Sequence, residues 1–181
     1  MRYTLLLAAL AAAAAMTGCA PAVAIHPLYT TQNLVSDLPL EGTWSEKDGA
    51  IWQIKKSDDG YDVAAVRTGD SPEVSKYNVH LLRLKDSEFV DVASKADPEL
   101  GVAGHLFAKI RMSGDELYVS PIDETWLKHM MEAGQAPQST MGENQQIVLT
   151  APTGELQKFI LLHAADPDAW DDDNDALHRV H

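Results

Sequence analysis

The chain has very little of three things. It has one cysteine in 181 residues, Cys19, so no disulfide can form within it. It has 14 basic residues against 27 acidic ones, a net charge of −13, and no basic stripe beyond scattered pairs such as Lys55-Lys56. That balance removes the electrostatic case for nucleic acid or for anionic lipid headgroups as partners. It also lacks a long apolar run. The one uncharged Leu/Ala stretch, Thr4 to Ala15, rises only ~20 Å as a helix, short of the ~30 Å hydrocarbon core, and Pro21 spoils its extension.

What that stretch does fit is an export signal, with Met1-Arg2-Tyr3 supplying one positive charge ahead of it. Met16-Thr17-Gly18-Cys19 follows and resembles the lipobox of bacterial lipoproteins, with Met16 standing where that family usually has Leu. The resemblance implies that residues 1–18 are a signal peptide removed before Cys19. It also implies that the Cys19 thiol carries diacylglycerol, so that the mature protein is palmitate-labelled and anchored by lipid. A single cysteine in an exported chain agrees with this, because exported proteins rarely keep a lone thiol without a use for it. The alternative is an ordinary secretory signal cut after Ala24, in Ala22-Val23-Ala24. Residue 20 is Ala rather than Asp, which in a Gram-negative host implies the outer membrane, facing the periplasm.

Residues 19–40 read as the lipidated N-terminus and a tether, since Pro21, Pro27 and Pro39 interrupt them and no period is sustained. Residues 41–165 read as one β-rich domain of ordinary size. Candidate strands are Thr43–Ser45, Ala50–Lys56, Tyr61–Thr68, Val74–Lys85, Glu88–Ser94, His105–Met112 and Glu116–Ile122. Gly, Asp, Ser and Pro clusters such as Ser57-Asp58-Asp59-Gly60 and Ser113-Gly114-Asp115 separate them, as hairpin turns require. Leu106, Ala108, Ile110 and Met112 alternate with His105, Phe107, Lys109 and Arg111, so one face is buried and the other mostly wet.

The expected fold is mainly β: an antiparallel meander closing as a small barrel, or alternatively a sandwich, with two short helices in the C-terminal third. Asp123 caps a helix over Glu124–Ala133 that Gly134 stops. A strand at Ile147–Thr150 leads into a second helix capped by Thr153, with Leu156, Phe159, Ile160 and His163 at helical spacing. Residues 166–181 read as a loosely held acidic tail.

Gly42-Thr43-Trp44 is similar to the Gly-x-Trp motif that opens the first strand of lipocalins, eight-stranded barrels that bind apolar ligands. The resemblance implies a barrel with Trp44 as its plug, and a carrier of a small apolar ligand as one functional alternative. Trp52 and Phe107 are assigned to the same interior.

Chemistry-bearing patterns are few. The seven histidines are scattered, and no His-x-His or His-x3-His pair marks a metal site. Asp171, Asp173 and Asp175 have the spacing that begins a calcium loop, but Ala176 stands where that loop needs Gly. Neither Gly-x-Ser-x-Gly nor Ser-x-x-Lys is present, and nothing indicates a cofactor. Trp126, Leu127, Met130 and Met131 share a helix face that reads as core rather than as a partner surface. Beyond lipid on Cys19, the sequence leaves three roles open: a binding or scaffolding module for a protein partner, a carrier of a small apolar ligand, and an enzyme with a dispersed site.

Overall fold

The computed structural model describes residues 21–67, 73–94, 104–142, 145–172 and 175–181. Its strands are β1 (Val23–Ala24), β2 (Gly42–Ser45), β3 (Ile51–Lys56), β4 (Tyr61–Arg67), β5 (Glu73–Leu84), β6 (Ser87–Ser94), β7 (His105–Ser113), β8 (Glu116–Pro121), β9 (Ser139–Met141), β10 (Ile147–Leu149) and β11 (Leu177–Val180). The helices are α1 (Glu124–Glu132) and α2 (Thr153–Leu162), with a 3₁₀ turn at Pro167–Ala169.

Strands β2 to β8 form the expected meander, each antiparallel to the next. β11 then inserts between β8 and β2, antiparallel to both, and closes an eight-stranded barrel. The sandwich alternative is therefore not the fold. Closure leaves no open edge on these eight strands, the usual liability of an isolated sheet.

Alternation along the strands separates two cores. Tyr61, Val63, Val79, Leu81, Val90, Val92, Ala108 and Ile110 point into the barrel with Trp44 and Trp52. Leu82, Leu84, Phe89 and Phe107 point outward into a second core shared with Leu28, Leu127, Phe159, Ile160 and Trp170. Phe107 thus belongs outside the barrel, not to its interior. The outer face of β5–β7 is not simply wet either, because helices and the N-terminal segment cover it. A strand with apolar residues on both faces needs such a second layer.

Three sequence expectations are corrected here. First, residues 21–40 are not a free tether. Ala24 and Leu28 are fully buried, β1 pairs with β7 and β10, and Val35, Leu38 and Leu40 pack against the barrel interior. The prolines hide this, since β1 is only two residues long and the rest docks without regular structure. Second, residues 166–181 are not a loose tail. Trp170 and Leu177 are buried and β11 is the eighth barrel strand, whereas Ile147–Leu149 lies outside the barrel between β1 and β9. Third, α2 starts after Pro152 with no side-chain cap; the Thr153 hydroxyl instead donates to the Pro27 carbonyl at 2.7 Å. α1 follows its sequence signals. The Asp123 carboxylate accepts from the Trp126 N–H at 2.6 Å, and Gly134, at φ 68°, turns the chain out of the helix.

Candidate functional site

One end of the barrel is closed by the segment 35–41, which runs from β5, where Val35 N–H donates to the Leu81 carbonyl, to β2. Beneath it Trp44 is fully buried, and its indole N–H donates to the Leu40 carbonyl at 2.8 Å. Arg179 of β11 lays its guanidinium over the Trp44 ring, 4.2 Å from the centroid. The same guanidinium donates to the carbonyls of Glu41, at 2.8 Å, and Pro39. Gly42 is required here: its φ is +140°, and a Cβ would stand 2.7 Å from an Arg179 nitrogen. Gly42, Trp44 and Arg179 therefore form one closure built by the first and last barrel strands. The Gly-x-Trp motif singles out the first two in the sequence; Arg179 sits in a short run that carries no strand signal.

Behind this closure the barrel is nearly full. The free space is about 30 Å³, apolar throughout, and bordered by Leu40, Trp52, Tyr61, Val90, Ile110 and Leu177 among others. Pockets that hold small ligands run to roughly 300–1,000 Å³. A larger space lies at this end of the barrel, open to solvent. An open groove of about 380 Å³ runs between residues 34–36 and the β3–β4 turn. Its floor is Tyr61 and Leu81, and Ser36, Lys56, Asp58 and Asp59 supply polar walls. Burial, and then the charges of Asp37 and Glu41, raise the pKa of the Tyr61 phenol, so it stays a neutral donor. Its hydroxyl donates to the Leu38 carbonyl at 3.4 Å.

At the opposite end of β3, Glu46 accepts from the Trp52 indole N–H at 2.8 Å. Burial pushes its carboxyl up to about 7, with the nearby Asp48 adding to the effect.

A polar cluster is set into the outer core. Asp91 of β6 is fully buried, and its two oxygens have separate partners: His105 Nδ1 at 2.7 Å and the Leu28 backbone N–H at 2.6 Å. His80 faces Asp91 across the β5–β6 ladder, stacks on Tyr29 at 4.0 Å and lies 3.7 Å from the Asp59 carboxylate. Its Nδ1 is buried with no hydrogen-bond partner among the described residues. A carboxylate held on imidazole Nδ1 is the arrangement that orients a histidine as a base. Here the second carboxylate oxygen goes to the N-terminal segment, and His105 pairs with Ala24 of that segment. The cluster fastens residues 22–30 to the barrel wall. No group of three or more metal-ligating side chains occurs among the described residues.

The remaining candidates settle as packing or surface pairs. Trp126 rests against Phe159 and His163, at 5.6 and 4.9 Å between ring centres, and Met130 and Met131 pack into the outer core. Asp172 accepts from the Ser120 hydroxyl and Asp175 lies 3.4 Å from Lys47. His178 and His181 face Glu116 and Asp115. Cys19 and Asp173 lie outside the described residues.

Compared with protein-family models, with curated proteins and with solved structures, the chain matches none.

Proposed function

We propose that this is an exported lipoprotein, held to a membrane by lipid on Cys19, whose domain works as a binding or scaffolding module through its outer surface. In a Gram-negative host the expected place is the outer membrane, facing the periplasm. The observation that carries the binding-surface reading is the contrast of volumes: about 30 Å³ free inside the barrel against about 380 Å³ in the solvent-open groove at its end. A carrier of a small apolar ligand, the role that the lipocalin resemblance implies, requires the reverse. The groove's mixed walls suit a polar or peptide-like group rather than an acyl chain. An enzyme with a dispersed site has one geometric feature in its favour, the Asp91–His105 pair, but that pair is committed to holding the N-terminal segment.

Two measurements test the reading. Cells fed radiolabelled palmitate should yield a labelled protein, and Cys19→Ala should abolish the label; equal labelling of both forms removes the anchor. Titration of the purified mature protein with a fluorescent fatty acid should show no saturable one-to-one binding. Micromolar or tighter saturable binding reverses the assignment in favour of a carrier.

A further inference from the structure

The chain is pinned almost as soon as it leaves Cys19. The Pro21 carbonyl accepts from the Gln146 side chain at 3.0 Å, and Ala22 is buried. Val23 and Ala24 are paired with β10, Ala24 also with β7, and the Ile25 N–H donates to the Leu149 carbonyl at 3.0 Å. Only Ala20 separates Cys19 from this docked run. At ~3.3–3.6 Å per residue, Cys19 stands no more than ~7 Å of backbone from Pro21. A diacylglycerol on its sulfur keeps that atom at the boundary of hydrocarbon and headgroups. The headgroup layer is itself ~5–8 Å deep on each side, so the available chain is used up in crossing it.

Undocking the segment to gain length is costly. It would expose Leu28 and Ala24 and strip the buried Asp91 carboxylate of its bond from Leu28. The surface around Pro21 is also apolar in the right places. Met141 lies on β9, the outermost strand, opposite Ile147 of β10 and two strand spacings, ~10 Å, from β1. Met141 and Ile25 are two of the five large exposed apolar residues among those described, and both sit beside the docked run.

We propose that the β1–β10–β9 flank is the membrane-facing surface of this protein, seated directly on the headgroups of a zwitterionic bilayer. The proposal rests on the anchor reading of Cys19. Orientation comes from the short covalent reach and not from charge, since a chain of net charge −13 gains nothing from an anionic surface.

The test uses the lipidated full-length protein in phosphatidylcholine vesicles. Lipidation occupies Cys19, so an introduced cysteine is the sole free thiol. A fluorophore on Met141→Cys or Ile25→Cys should be quenched severalfold more by headgroup-nitroxide lipid than one on Gln53→Cys. Gln53 is exposed on β3, four strands from β7 in either direction around the barrel. Inserting about twelve Gly/Ser residues after Ala20, a linker of ~19 Å r.m.s. length, should erase the difference. If the protein floats with the vesicles yet all three positions are quenched equally, the flush seating is wrong while the anchor stands. If the protein neither floats nor takes palmitate, the anchor reading fails and this proposal with it.

Discussion

Trp44→Ala probes the closure that joins the first and last barrel strands. Trp44 has no exposed surface, so truncation leaves a cavity in a region already packed by Leu40, Trp52 and Leu177. Trp→Ala changes in cores cost ~3–5 kcal/mol. The indole N–H bond to the Leu40 carbonyl and the stacked Arg179 guanidinium each add about 0.5–1 kcal/mol. A loss of about 4–7 kcal/mol is a large share of the ~5–15 kcal/mol that holds a domain together. Trp44→Phe separates the parts. It keeps a ring beneath Arg179, loses the indole donor, and should cost about 1–2 kcal/mol. Urea midpoints of residues 19–181 carrying Cys19→Ala provide the assay. Thermal midpoints should fall in the same order, by about 2–4 °C per kcal/mol. A Trp44→Ala protein with the parental midpoint would refute the closure and make Trp44 a surface residue available to a partner.

Glu46 predicts a pH dependence of definite sign. Its folded pKa, about 7, lies above the ordinary carboxyl value of 4.5, so the folded state binds the extra proton. Its contribution is favourable in acid and is lost as pH rises from about 4.5 to 7. Glu46→Gln, which keeps an acceptor for Trp52, should match the parent at pH 4 and exceed its urea midpoint at pH 8. A gap that is the same at both pH values would show that Glu46 titrates normally. Asp91→Ala should cost at least about 2 kcal/mol by stranding the Leu28 N–H and the His105 ring. It should also speed amide exchange in residues 22–35 before the barrel strands; unchanged exchange there would mean that Asp91 does not fasten the segment.

Much of the barrel is legible in the sequence. Seven of its eight strands lie where turn clusters and two-residue alternation place them, as Tyr61–Arg67 against the expected Tyr61–Thr68 shows. These signals are local, and hairpins are local structures. The eighth strand is not legible, because Leu177-His178-Arg179-Val180 follows an acidic run and its partners are distant in sequence. The docked N-terminal segment is hidden for a related reason: prolines break its pattern, and what orders it is surface presented by other elements. Asp91 lies between Val90 and Val92, and such alternation reads as a solvated face. Only the tertiary arrangement shows Leu28 covering it. Gly-x-Trp is a compact motif that marks Trp44; Arg179, its partner, has no such frame around it.

Closing the barrel with β11 also sets the order in which this protein can fold. Ser45 and His178, partners across the closing ladder, are 133 residues apart in the chain. The meander can zip hairpin by hairpin, but no cylinder exists until β11 has been delivered. Pairing across such a separation is slow, because the entropy of closing the loop is lost before the contact returns anything. A chain threaded through a translocon from its N-terminus would thus reach the far side with one edge of β2 and one edge of β8 still unpaired. The barrel would complete itself only after β11 had crossed.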